Sequence, residues 1–515
     1  MDSVSHASPL LLERAGLLAK AFFRRYRVPF LASLFFGLLA YGFVFTNKLI
    51  NHDEAHALFI KGATVVSGRW GLGALDSIFP NYSMPWIYGL ITIFLVAVGI
   101  CILADMFCLR NRLLQVLLAG SVMVFPSLMG LFGYMFTSSS FALSFLLSIL
   151  AVFLVQKGNK RYLFPAFGCL VLSLSIYQSY ISVAAGLLVL ILIQRLLTGS
   201  RWTEVLKQGI FYVGFLVTAL VAYYLCTQVI FRGTGTEMGS YASENFTFTP
   251  GGILYGAFLA YWFFLCTFTK GHCGLIPTPF SRLLHILLLA VSLVLLVLLV
   301  RRKKLSWPQI LLLTLLILLL PLAINCMYMI TADFSIHTLV LYSFVNVYIF
   351  TLMLAQLALD CPRSGCPGRL LLNGITGILA LVIVCNTYVA NEASLHLYLR
   401  YENAYAFYSS LIADIKLQPE FTEDTALAIV GEYQQPEFYT EQFEHIHSIT
   451  GLYGFVPDSY SNQEFLEYYL GFSVPFASQE ETEAIKASAE FAEMPVYPYY
   501  GSLKAFDNVL VVKLS

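Results

Sequence analysis

Two adjacent carboxylates, Asp53 and Glu54, stand between two histidines in the run Asn51-His52-Asp53-Glu54-Ala55-His56. A carboxylate within reach of an attacking hydroxyl can take its proton, and partial desolvation makes it a better base. The same run approaches the zinc-protease pattern His-Glu-x-x-His, in which two histidines one helical turn apart hold the metal and the glutamate is the base. Here Asp53 occupies the glutamate position, one methylene shorter, and no convincing third ligand motif follows. A protease is therefore the weaker reading. A divalent cation held by His52, Asp53 and His56 as a helper is the better metal expectation. The plain alternative is a solvated loop whose acids cap a helix.

Lys61 and then Gly68-Arg69-Trp70 follow within about twenty residues. An arginine beside a tryptophan near a membrane surface is either an interfacial anchor or a cation placed to grip a phosphate bidentately. Lys270 and Arg282 are further cations that could hold a phosphate. Farther along, Tyr177-Gln178-Ser179-Tyr180 offers an amide and phenols, a reasonable hydrogen-bonding set for a sugar, with Trp70 as a further sugar or acceptor contact. A polar turn with interfacial aromatics explains the same four residues. The glycines at 68, 71 and 73 form no dinucleotide fingerprint.

These residues need a scaffold, and composition says what kind. The 515 residues are 58% hydrophobic and only 12% charged, about half the charge of an ordinary soluble protein. Apolar runs long enough to cross a bilayer recur from Pro29 to Ala390. The expected spans are 29–47, 84–105, 113–131, 138–156, 162–177, 181–197, 209–230, 283–300, 309–330, 336–358 and 370–390. Residues 1–28 read as a cytoplasmic amphipathic helix rich in arginine and lysine. No small-residue cleavage site follows the first span, which reads as an anchor.

Basic clusters at Arg110 and Arg112, Lys157 to Arg161, Arg195 to Lys207, Arg301 to Lys304 and Arg363 to Arg369 fall on alternate sides of these spans. The positive-inside rule puts them in the cytoplasm. Gly252–Thr269 is apolar enough to be a twelfth span, but crossing would turn the Arg301–Lys304 cluster outward. It is therefore expected to be re-entrant or interfacial. The acid-bearing loop and the C-terminus then share the outer side.

From Glu402 to Ser515 there are 18 acidic and 4 basic residues, no cysteine and no spanning run. Residues 391–515 read as an acidic extracytoplasmic α+β domain, with strands at Ala426–Val430 and Val509–Leu514 and helices at Asn462–Leu470 and Glu480–Phe491. Its acidity argues against nucleic acid as a partner.

In order and spacing, several features together resemble the GtrII-like bacterial glucosyltransferases, polytopic enzymes of the GT-C type. They are the acid pair after the first span, Gly68-Arg69-Trp70, Pro85 opening the second span, and Tyr177-Gln178. The tail completes them with Met494-Pro495-Val496-Tyr497-Pro498, Gly501-Ser502 and Val509–Leu514. The resemblance covers nearly the whole chain. It implies a GT-C-like bundle over 29–390 in the bacterial cytoplasmic membrane and a polyprenyl-phosphate-linked glucose or similar hexose as donor. Transfer to a cell-surface glycan would occur on the outer side. It also implies Asp53 as catalytic base with Glu54 second, and Arg69 as the first phosphate-binding residue with Lys61, Lys270 and Arg282 behind it. The polar chemistry on the outer face, and the lack of a Rossmann-like segment, independently disfavour a nucleotide-sugar donor. A flippase of lipid-linked sugars and a surface-glycan polymerase are the competing readings; the near absence of charge within the spans weighs against the flippase.

Overall fold

In hydrocarbon every backbone N–H and C=O must find an internal partner, so each apolar run becomes a helix. The computed structural model describes residues 11–47, 49–59, 64–79, 82–237, 239, 250–331, 336–361, 366–433, 442–449, 451 and 461–515. Ten of its helices are long and apolar enough to cross a membrane, or up to eleven if the bent pair Arg112–Met123 and Pro126–Phe132 counts as one span. The chain is a polytopic helical membrane protein with a small C-terminal sheet.

In order, α1 spans Leu11–Thr46, α2 His52–Ala57, α3 Trp70–Ile78, α4 Pro85–Met106, α5 Arg112–Met123, α6 Pro126–Phe132 and α7 Met135–Val155. Then come α8 (Lys160–Ile176), α9 (Ile181–Leu197), α10 (Trp202–Thr234), α11 (Pro250–Lys270), α12 (Pro279–Lys303), α13 (Trp307–Ile324), α14 (Val345–Leu359) and α15 (Cys366–Lys416). Local signals set many boundaries. Asn111 and Asn159 cap α5 and α8 with their side chains, and proline opens α4, α6 and α12, where its missing N–H costs nothing.

Contacts sort the helix termini into two ends. At one, Arg25 of α1 pairs with Asp105 of α4, and the N–H groups of Arg110 and Asn111 donate to Gln356 Oε1 at 2.9 and 3.1 Å. Gln309 Nε2 donates to the Ser200 carbonyl there at 3.0 Å. The basic clusters gather at this end. At the other, Asn51 Nδ2 donates to the Gly133 carbonyl at 2.6 Å, Ser127 Oγ to the Thr338 carbonyl at 2.6 Å, and Gln178 Nε2 to the Ser67 carbonyl at 3.0 Å.

The flanks of α11 both meet this second end. Gly239 N–H donates to the Val66 carbonyl at 3.1 Å, and Thr338 Oγ1 donates to the Cys273 carbonyl at 2.5 Å. Between them, Asn325 Nδ2 donates to the Ala260 carbonyl at 2.9 Å. Both flanks of α11 and its middle thus contact the same end of the bundle, while its length and hydropathy would let it span. Conversely α8, 17 residues long, runs from one end to the other.

Two boundaries differ from expectation. From Leu11 onward, no break separates the expected amphipathic helix from the first span: α1 is one helix of 36 residues with Pro29 inside it. Likewise α15 is one helix of 51 residues, about 76 Å long at 1.5 Å per residue. It leaves the bundle and enters the C-terminal domain, where Ala404, Tyr408, Leu411 and Ile415 join a second core with Leu427, Phe465 and Leu510.

That domain holds a three-stranded sheet in the order β1 (Ala426–Val430), β3 (Val509–Lys513), β2 (Leu503–Phe506). The central β3 pairs in parallel with β1 and antiparallel with β2. The expected helix over 480–491 is two short ones, Gln479–Lys486 and Ala489–Glu493, while Asn462–Glu464 continues as a single π turn through Tyr469.

Candidate functional site

The acid pair sits on α2, positioned from both sides. Asn51 caps the helix, its side chain accepting from the Glu54 N–H at 3.0 Å while its amide reaches Gly133. Ile50 and Ala55 pack into the C-terminal core, so the domain is seated directly on the acid-bearing loop. His56 Nδ1 lies 3.0 Å from Glu464 Oε1. Glu54 is fully buried, and Asp53 is half-buried. Nearby, the Tyr469 phenol is pushed well up by its own burial and by the negative charge of Glu54. Of the two acids, Asp53 is the more exposed.

Of the expected metal trio, His56 is engaged with Glu464, and the His52 side chain lies outside the described residues. Among the described residues no three His, Cys, Asp or Glu side chains converge as a metal site.

A second cluster unites residues far apart in sequence. Gln178 Nε2 donates to the Ser67 carbonyl and, at 2.9 Å, to the Tyr223 hydroxyl, which donates to the Gly68 carbonyl at 3.1 Å. Trp70 Nε1 donates to Thr227 Oγ1 at 3.2 Å. The Arg69 guanidinium lies over the Tyr177 ring, 5.1 Å from its centroid, and its Nε is buried with no hydrogen-bond partner among the described residues. The glycines beside it have steric reasons. Gly68 has φ of 72°, and a Cβ there would come within 2.7 Å of the Tyr223 hydroxyl; a Cβ on Gly71 would meet Ser175 Oγ at 2.1 Å. Glycine at these positions lets α3 press against α8 and holds Arg69 at the turn.

Thus Arg69, Trp70, Tyr177 and Gln178 come together. Tyr223 and Thr227 are the partners that sequence reasoning missed. They lie one turn apart in a span that also carries Tyr212, Thr218, Tyr224 and Gln228, so residue type alone did not single them out. This cluster borders a cleft of about 1070 Å³, with Leu174, Val217 and Val221 on its apolar wall and Gln178, Arg232 and Glu237 among its polar groups. α7 links the two clusters: Gly133 and Tyr134 precede it beside Asn51 and Gly451, and Phe141 within it stacks on Tyr177 with centroids 4.2 Å apart.

The remaining cations fall elsewhere. Arg282 donates through Nε and Nη2 to the carbonyls of Ile276 and Pro277 at 3.2 and 3.0 Å, tying down the turn after α11. Lys270 is exposed at the end of α11. Lys61 lies outside the described residues.

Asp76, on α3 two turns beyond Arg69, also escaped the sequence reading. It is 7% exposed, and burial pushes its carboxyl up from 3.8 to about 6, against a hydrogen bond from Thr64 that lowers it. The folded protein therefore holds an extra proton between about pH 4 and 6, and the contribution of Asp76 to stability falls as pH rises through that window. Asp76→Asn is expected to raise unfolding stability at neutral pH by about 1–3 kcal/mol, a gain that vanishes below about pH 4. Thermal melts in detergent at the two pH values check this, and an unchanged neutral melt contradicts it.

Over residues 42–350, more than half of its length, the chain matches the family Glucosyl transferase GtrII. It belongs to that family. No curated protein and no solved structure matches it. The GtrII match takes in the acid pair, the Gly68-Arg69-Trp70 turn and Tyr177-Gln178, and stops before α15 and the C-terminal domain. Membership makes this chain a membrane glucosyltransferase, with a sugar donor and a glycan acceptor.

Proposed function

We propose that the protein transfers glucose from a polyprenyl-phosphate carrier to a cell-surface glycan on the outer side of the bacterial cytoplasmic membrane. The observation carrying this reading is Arg69. Its cation lies over Tyr177. Ser67 and Gly68, which precede Arg69 in sequence, and Gln178, which follows Tyr177, line a largely apolar cleft that also holds Arg232, a combination suited to a phosphate joined to a hydrocarbon chain.

The positive-inside rule turns the basic end toward the cytoplasm. Both site clusters and the C-terminal domain then face outward, away from cytoplasmic nucleotide sugars. In the reaction the acceptor hydroxyl attacks the anomeric carbon and Asp53 takes its proton. The bond from that carbon to the phosphate oxygen breaks, and the electron pair leaves with the polyprenyl phosphate. Arg69 stabilises the departing anion. One displacement inverts the anomeric configuration.

Right-side-out vesicles given radiolabelled polyprenyl-phosphate-glucose are expected to label their surface glycan, and a reporter fused after Ser515 to be active only outside. A reporter active only in the cytoplasm overturns the sidedness.

A further inference from the structure

Two cavities lie between the same pair of helices. Toward the basic end, Lys160, Phe164 and Phe167 of α8 face Phe211, Gly214 and Thr218 of α10 around about 560 Å³. Toward the other end, Leu174 of α8 faces Val217 and Val221 of α10 in the larger cleft beside the Arg69 cluster. The linings interlock. Val217 and Thr218 are neighbours in sequence, and Phe167 and Leu174 lie two turns apart on one face of α8. The cavities follow one another along the furrow between α8 and α10. From Phe211 to Gly235 the helix rises roughly 36 Å, as much as a hydrocarbon core of roughly 30 Å.

We propose that this furrow holds the donor's hydrocarbon chain through both leaflets, so that the enzyme selects long polyprenyl carriers over short ones. The proposal rests on the lipid-linked donor reading above. The upper stretch ends on the polar groups of the transfer site, and the lower wall stays apolar and aromatic down to Lys160. An ordinary phospholipid headed at the outer surface fills one leaflet. A furrow that continues past the midplane fits a chain longer than a leaflet. Gly214 lines the lower stretch, and a Cβ there would meet nothing within 4 Å, so a larger side chain has room to project into it.

The test compares farnesyl-phosphate-glucose with undecaprenyl-phosphate-glucose as donors for the purified protein in vesicles of one lipid composition. In a bilayer the tail leaves lipid and not water, so each further isoprene unit adds binding by packing against the furrow walls, and KM is expected to be at least about tenfold lower for the long donor. Gly214→Trp fills the furrow, and the ratio of the two KM values is expected to collapse toward one. The smaller Gly214→Leu should give an intermediate ratio. Because each ratio is internal to one variant, reduced yield does not obscure it. Equal KM values in the wild type overturn the proposal and leave the donor class intact, as does a long-chain preference that survives Gly214→Trp. Turnover of nucleotide-linked glucose with neither lipid donor used overturns the donor reading itself.

Discussion

Asp53→Asn is expected to yield folded, membrane-inserted protein whose glucose transfer is slower by about 10²–10⁴-fold, the usual loss on removing a general base. The substitution keeps size and polarity and removes only the charge. Because Asp53 is half-buried at the surface of α2, while Asn51 provides the capping contact, little structural cost should follow. Glu54→Gln is the instructive contrast. Glu54 is fully buried where the loop meets the C-terminal domain, so its loss should appear first in yield and melting temperature. Near-normal transfer by Asp53→Asn would remove Asp53 as the base.

Arg69→Ala is expected to lower kcat by about 10²–10³-fold, the scale found when a group stabilising developing negative charge is deleted. Arg69→Lys should recover only part of this. A lysine keeps the charge but loses the planar fork that stacks on Tyr177 and that would grip a phosphate through two oxygens. The split between parameters is informative. A phosphate held alike before and during transfer would raise KM alone, whereas an anion gripped more tightly as it leaves lowers kcat. Unchanged kinetics in Arg69→Ala would move the phosphate to another cation, with Lys270 and Arg232 the exposed candidates.

The membrane class was legible because it depends on composition over long windows. For Gly252–Thr269 the two signals disagree: charge at Arg301–Lys304 argues for an interfacial segment, while length and hydropathy let it span. The strands Ala426–Val430 and Val509–Lys513 stood out as β-branched apolar runs, whereas Leu503–Phe506 is four residues long and carries no such run. The length of α15 was hidden by the polar residues after Ala390. Even so, the spacing of Ala404, Tyr408, Leu411 and Ile415 continues the helical period.

The site was legible in pieces. Arg69, Trp70, Tyr177 and Gln178 could be named from residue type, but their convergence depends on Tyr223 and Thr227, which α10 supplies from a segment with no motif. Asp76 is a single acid among apolar neighbours, and only its burial distinguishes it. The seat of the C-terminal domain on α2 also follows from packing, with Ala55, Phe465 and Tyr408 in one core.

The most direct measurement supplies purified protein in vesicles with a glycan acceptor and glucose labelled either on polyprenyl phosphate or on a nucleotide, and follows label into the glycan. The account predicts incorporation from the lipid-linked donor alone, with the anomeric configuration inverted. Incorporation from the nucleotide donor, or movement of the lipid-linked sugar across the bilayer without any glycan product, would contradict it.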